Sequence, residues 1–296
     1  PDSAIADCVA SSGDVDNIVE TGVQVTCDSN EPNPYLGGIG TTTTSTDVSV
    51  DIEENAEVVS TGVGVALENG GTLDNAGILQ ANDTAVSATD SSGDGGITIS
   101  NSGTIRSTEG AGIIADLSDS DITNSGDIIS DDVAVTLGSN SELTNSGSIT
   151  ANDAPAISTS GNATIDNTGT IDSDSDVAIS LQGGGNRLNL DSGSEIDGDV
   201  VATPGGAASD LLVLSGEGNE AENYTGFASL LMQGERWTFN GDVQAEIIAL
   251  ESGTLTLNGN VTTGGVDITA GTLAGTGAIN GSINNLSGTV SARQVS

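Results

Sequence analysis

The sequence predicts an all-β solenoid on three observations. One short motif returns five times at a nearly constant interval, its apolar positions alternate at strand spacing, and the residues between copies are those that turn a chain. The motif is apolar-x-Asn-x-Gly-x-apolar, written TLDNAGIL, TISNSGTI, DITNSGDI, ELTNSGSI and TIDNTGTI. Its Asn recurs as Asn75, Asn101, Asn124, Asn145 and Asn167, in steps of 26, 23, 21 and 22 residues. A fixed period of this length is the mark of a repeat architecture. Extended outward, the frame puts Glu54 of IEENAEV and Ser192 of LDSGSEI in the Asn slot.

Within each copy the apolar residue, the Asn, the Gly and the next apolar residue are two apart, so on an extended chain all four share one face. A second apolar pair follows in each repeat: Val86 and Ala88, Ile113 and Ala115, Val135 and Leu137, Ile157 and Thr159, Ile179 and Leu181. Gly, Ser, Asn and Asp lie between, residues that tolerate positive φ or bond their own backbone. A repeat of a few short strands cannot close a core alone, so the copies must stack, strand upon strand at about 4.8 Å. Stacked in register, the Asn side chains stand one strand spacing apart, each with a donor and an acceptor to offer along the column. The expected role of Asn75, Asn101, Asn124, Asn145 and Asn167 is therefore a structural ladder.

Taken in order, residues 1–45 hold both cysteines, Cys8 and Cys27, ahead of the repeats. An even pair closing a short loop predicts one disulfide and an oxidising compartment, worth about 3 kcal/mol by loop entropy. A two-Cys metal site is the alternative, but no His or further Cys exists to complete a shell. This stretch fits an N-terminal cap, which a solenoid needs over its first open edge. Without an initiator Met or an apolar signal stretch, the chain reads as a processed one. Residues 46–205 are the Asn-x-Gly coils.

From residue 206 the texture changes to SDLLVLSGEGNEAENYTGFASLLMQGERWTFNGDV, then SGTLTLNGNV and AGTLAGTGAING. Asp210, Leu212, Leu214, Ser215, Gly216 and Gly218, then Phe227 and Leu230, then Gly234, Trp237 and Gly241 resemble the C-terminal part of bacterial autotransporter (type V secretion) passenger domains. The later passenger repeat is matched by Gly253, Leu255, Leu257, Gly259, Gly271, Leu273, Gly275 and Gly277. The resemblance implies a right-handed, single-stranded parallel β-helix exported via the periplasm through its own C-terminal β-barrel and displayed on a Gram-negative outer surface. It also implies an autochaperone-like role for 206–296, with Asp210, Leu212, Gly216, Phe227, Trp237 and Gly241 at its motif positions. The barrel does not follow in this sequence, which reads as a truncated or cleaved passenger.

Composition narrows the function. With 43 acidic residues, four Arg, no His and a net charge of −39, the surface repels nucleic acid and anionic headgroups, and no run of 18 apolar residues could insert in a membrane as a helix. Ser-His catalysis lacks its base, and among so many acids a carboxylate pair carries no signal. The expectation is a non-enzymatic protein without a required cofactor. It would be a surface adhesin whose partner is a host or bacterial surface ligand, or a self-associating scaffold; a passive stalk and a polysaccharide-active enzyme are the alternatives. Runs such as TTTTSTDVSV and NNLSGTVS suit pairing between faces. Trp237, the only Trp, offers either an aromatic sugar platform or a core for the terminal coils. Finally, the positions eight beyond each ladder Asn are Asp83, Glu109, Asp132 and Asp153, an oxygen-rich column that could take Ca²⁺ between coils or stand as a solvated acidic edge.

Overall fold

A computed structural model describes residues 8–29, 34–40, 45–89, 95–203 and 210–292. Among these residues there is no helix, and the strands stack into a parallel β-solenoid of about 11 turns. In the Asn-bearing part each turn holds three short strands. The first column contains Thr72–Asn75, Thr98–Asn101, Asp121–Asn124, Glu142–Asn145 and Thr164–Asn167. The second contains Ile78–Ala81, Thr104–Ser107, Asp127–Ser130 and Ser148–Ala151. The third is formed by the predicted second apolar pairs, Val86–Ala88, Ile113–Ala115, Val135–Leu137 and Ile157–Thr159. These strands stack in register: Ile99 lies opposite Leu73 on one side and Ile122 on the other.

Register places like on like in the core. Leu73, Ile99, Ile122, Leu143 and Ile165 form one buried row, and Leu79, Ile105, Ile128, Ile149 and Ile171 a second. Each such side chain contributes roughly 1.5–3 kcal/mol by leaving water, which is how a chain with 2 % aromatic residues builds a continuous core. The turn entering the first column bends through a left-handed residue two positions before six of its strands: Asp47, Gly70, Asp119, Asn140, Asn162 and Gly185 all have φ between 52° and 75°. Asn, Asp and Gly are the types that take this conformation at least cost.

The motif glycine answers a different demand. Gly103, Gly126 and Gly147 sit at the corner after the Asn, each so close to the preceding turn that a Cβ would lie 2.1 Å from the carbonyl oxygen of the glycine below it. Any side chain there would push two turns apart.

At both ends of the ladder the outward frame needs correction. Asn75 stacks on Ile52, not Glu54, and Asn167 is covered by Leu190, not Ser192. The corners are two residues longer there: Ile52 is six residues from Val58, its second-column partner, whereas Asn75 is four from Leu79. The extra residues turn through Asn55 (φ 65°) at one end and Gly193 (φ 94°) at the other. Both end slots also hold apolar residues, so the Asn that would have fixed the frame is missing.

Ahead of the ladder, Cys8–Ala10 runs antiparallel to Gln24–Cys27, which in turn pairs parallel with Ser49–Ile52. The strand covers the open edge of the first column, and a Cys8–Cys27 disulfide fixes it there, as a cap requires. Beyond Leu211 the turn shortens to about 18 residues, as the core row Leu212, Leu230, Ile248 and Val266 records. The strands Glu217–Glu220, Arg236–Phe239, Thr254–Leu257, Thr272–Gly275 and Thr289–Ala292 form a separate five-stranded parallel sheet. A seam therefore lies between Glu195–Ala202 and Glu217–Glu220, which touch without joining in one ladder.

Candidate functional surfaces

The Asn column is a hydrogen-bonded chain. Nδ2 of Asn75, Asn101, Asn124 and Asn145 donates to Oδ1 of the next Asn at 2.7–2.8 Å, and Nδ2 of Asn167 donates to the Ser194 hydroxyl at 2.8 Å. All five are at most 1 % exposed. Each Nδ2 also reaches backbone carbonyls; for Asn124 these are Gly126 O at 3.1 Å and Ser148 O at 3.2 Å. The chain has one loose end. Asn75 Oδ1, facing the turn of Ile52, has no hydrogen-bond partner among the described residues. With every amide turned inward, the column offers nothing to a ligand.

Of the residues singled out by resemblance, Asp210, Leu212, Phe227 and Trp237 are buried, while Gly216 and Gly241 are half-buried at close-packed corners. Asp210, 4 % exposed, accepts the backbone N–H of Asn186 at 2.8 Å and its Nδ2 at 2.9 Å, closing the corner just before the strand Leu211–Leu214. Leu212 lies in the core row between Leu188 and Leu230. Gly216 adopts φ 56°, and a Cβ on it would meet Ser192 Oγ at 2.2 Å. At Gly241 a Cβ would lie 2.2 Å from the Glu222 carbonyl oxygen.

Trp237 is fully buried, its Nε1 donating to Ser215 O at 2.8 Å. Its ring lies over Gly218, where a Cβ would come within 2.3 Å of it, and stacks near Phe239 at 6.3 Å. Phe239 in turn meets Tyr224 edge-on at 5.0 Å. This is a core of the terminal coils, so the sugar-platform reading of Trp237 is set aside. Phe227, 2 % exposed, borders a shallow cavity of about 220 Å³ with Gln244, Glu246 and Thr263.

Sequence reasoning missed one interior residue. Glu220 occupies an inward position: its counterparts one and two turns on are Phe239 and Leu257. It is 1 % exposed, and burial pushes its carboxyl up to about 8, with Glu195 and Glu222 adding to the rise and Tyr224 and the Ile196 backbone opposing it. Burial also drives the Tyr224 hydroxyl well above the usual tyrosine range, with Glu220 next in effect. The 18-residue spacing that aligns Trp237 with Leu255 puts Glu220 opposite Thr238, an outward position; the step from Glu220 to Phe239 is 19 residues, which only the pairing reveals.

On the outside, Asp83, Glu109, Asp132 and Asp153 occupy one turn position in successive coils and are all exposed. Among the described residues no three acids or other ligating side chains converge to hold a metal. The rest of the exterior alternates hydroxyl, amide and acid side chains; in the terminal sheet Thr254, Thr272 and Thr289 stand in one outward row. Of TTTTSTDVSV, residues 41–44 lie outside the described residues. NNLSGTVS lies on the last turn, where Leu286 is 68 % and Val290 45 % exposed. Comparison of the chain with protein-family models, curated proteins and solved structures finds no match.

Proposed function

We propose that the chain is the passenger of an autotransporter, carried to the cell surface by its own C-terminal β-barrel, where it acts as an adhesin or self-association scaffold. One observation supports this most directly: functional-looking side chains are spent inside the stack, while long flat faces repeat the same polar groups turn after turn. Such a body recognises by extended face-to-face contact rather than by a cleft. Its net charge of −39 makes nucleic acid and anionic membrane poor partners, and the capped first edge keeps the rod from adding strands at that end. The reading includes no catalytic step and no required cofactor.

The test is to display residues 1–296 on a Gram-negative cell by fusion to an unrelated outer-membrane barrel, and to measure clumping and attachment to surfaces. The proposal expects both to rise over cells displaying the barrel alone. Unchanged clumping and attachment would instead favour a passive stalk that only holds another domain away from the membrane.

A further inference from the structure

A concavity of about 340 Å³ interrupts the flat outer faces where the first column passes from the Asn-bearing turns into the terminal coils. Asp166, Arg187, Asn189, Asp191 and Gln233 line it. Register brings them together: Asp166 and Asn189 stand in one outward row, Arg187 lies two residues before Asn189 on the same face, and Asp191 and Gln233 each follow a strand end at the next corner.

Several of these polar groups are left over. Arg187 is exposed and, among the described residues, makes neither an ion pair nor a side-chain hydrogen bond, although two carboxylates share its cavity. Arg236, by contrast, is engaged with Glu217 at 2.7 Å. Asn189 Nδ2 is taken by Asp166 Oδ1 at 2.5 Å, which leaves Asn189 Oδ1 without a partner among the described residues. Past the cavity the same face departs from the outward-polar pattern. The row of Arg187 continues as Leu211, Ser229 and Ile247, and the row of Asn189 as Val213, Leu231 and Ala249. Ile247 is 48 % exposed. A polar groove therefore opens onto an apolar shelf that runs along the rod.

The strands beneath are paired on both sides, Arg187–Leu190 with Thr164–Asn167 and with Leu211–Leu214, so no backbone edge is free here to add a peptide strand. Recognition is left to side chains. Two carboxylates beside one guanidinium, in a chain of net charge −39, disfavour an anionic ligand, and among the described residues no three acids converge on a metal. A ligand dense in hydroxyls meets these demands, since each hydroxyl can donate to a carboxylate or accept from Arg187, while C–H faces cover the shelf. We propose that this groove binds a neutral oligosaccharide lying along the rod, its hydroxyls on Asp166, Arg187, Asp191 and Gln233 and its C–H faces on Leu231 and Ile247. The site adds a cleft to the flat faces described above and does not rest on surface display or self-association.

Isothermal titration calorimetry of the purified full chain is the test, with hexasaccharides of glucose, mannose, galactose and N-acetylglucosamine as neutral probes and of galacturonate as the acidic one. At least one neutral probe is expected to bind, and to bind more tightly than galacturonate. Arg187→Ala removes a charged donor at an exposed position and should weaken that binding about tenfold or more. Leu231→Ser should weaken it too, whereas Arg106→Ala, in the second column and outside the groove, should leave it unchanged. No heat with any neutral probe, tighter binding of galacturonate, or equal affinity in Arg187→Ala and wild type would overturn the assignment.

Discussion

Replacing Asn124 with Leu tests the ladder where it is longest on both sides. Asn124 receives a bond from Asn101 Nδ2 and gives one to Asn145 Oδ1, both at 2.8 Å. Leucine removes both, and the losses are unequal. Asn101 Nδ2 keeps Asp127 O at 3.1 Å, whereas Asn145 Oδ1 loses its ladder donor at full burial. The carbonyls that Asn124 touched fare better, since Gly126 O still accepts from the Ser148 N–H at 2.9 Å. The dominant cost is thus one orphaned buried acceptor, about 1–3 kcal/mol. At Asn167 the same change should cost less: Asn145 Nδ2 retains Thr170 O at 3.2 Å, the Ser194 hydroxyl can rotate, and the Gly169 N–H loses only a long 3.3 Å bond to Asn167 Oδ1. Urea unfolding followed by circular dichroism should therefore rank Asn124→Leu below Asn167→Leu, with both below wild type. Equal stability of Asn124→Leu and wild type, or the reverse ranking, would refute the argument.

Gly147→Ala places a methyl about 2.1 Å from Gly126 O and should destabilise more than Ser146→Ala one residue away, measured by the same urea curves. Trp237→Ala empties the largest buried side chain of the terminal coils, a loss of about 3–5 kcal/mol; if 206–296 nucleates the solenoid, it should slow refolding, and a chain ending at Gly205 should refold more slowly still, as read by stopped-flow and manual-mixing dichroism. For the exposed acidic column of Asp83, Glu109, Asp132 and Asp153, Ca²⁺ acting as a ligand between coils should raise the melting midpoint above that in NaCl of matched ionic strength, and an equal rise would leave only screening.

The legible parts of the fold were those written in the period. The ladder Asn, the rows of Ile and Leu and the second apolar pairs were fixed by two-residue alternation repeated at a constant interval, because register stacks identical slots. Corner length was not legible. The two extra residues after Ile52 and Leu190 change no alternation within a strand, so a frame carried back from Val58 or Ile196 arrives two residues late. The separate terminal sheet also escaped notice: Glu217–Glu220 and Arg236–Phe239 read as ordinary strands, and only pairing reveals that they begin a new ladder. Glu220 was passed over for a chemical reason, since one acid among 43 carries no signal until its slot is known to be inward.

The one-way sense of the Asn bonds has an electrical consequence. Backbone hydrogen bonds in the stack run to both neighbouring turns, as Thr72 N to Val48 O and Ile113 N to Ala134 O illustrate, so their dipoles largely cancel. The side-chain amides do not cancel; five point the same way, from an oxygen at Asn75 to a hydrogen at Asn167. The column is therefore a wire of aligned amide dipoles with a negative pole at its first rung and a positive pole at its last, the side-chain counterpart of a helix axis. An aspartate substituted at 167 would sit at the positive pole and receive the Asn145 N–H as an anion, whereas one at 75 would set its charge against the negative pole and the Asn101 oxygen. Isosteric carboxylates, equal in size and burial, should thus differ in cost by their position along the rod alone.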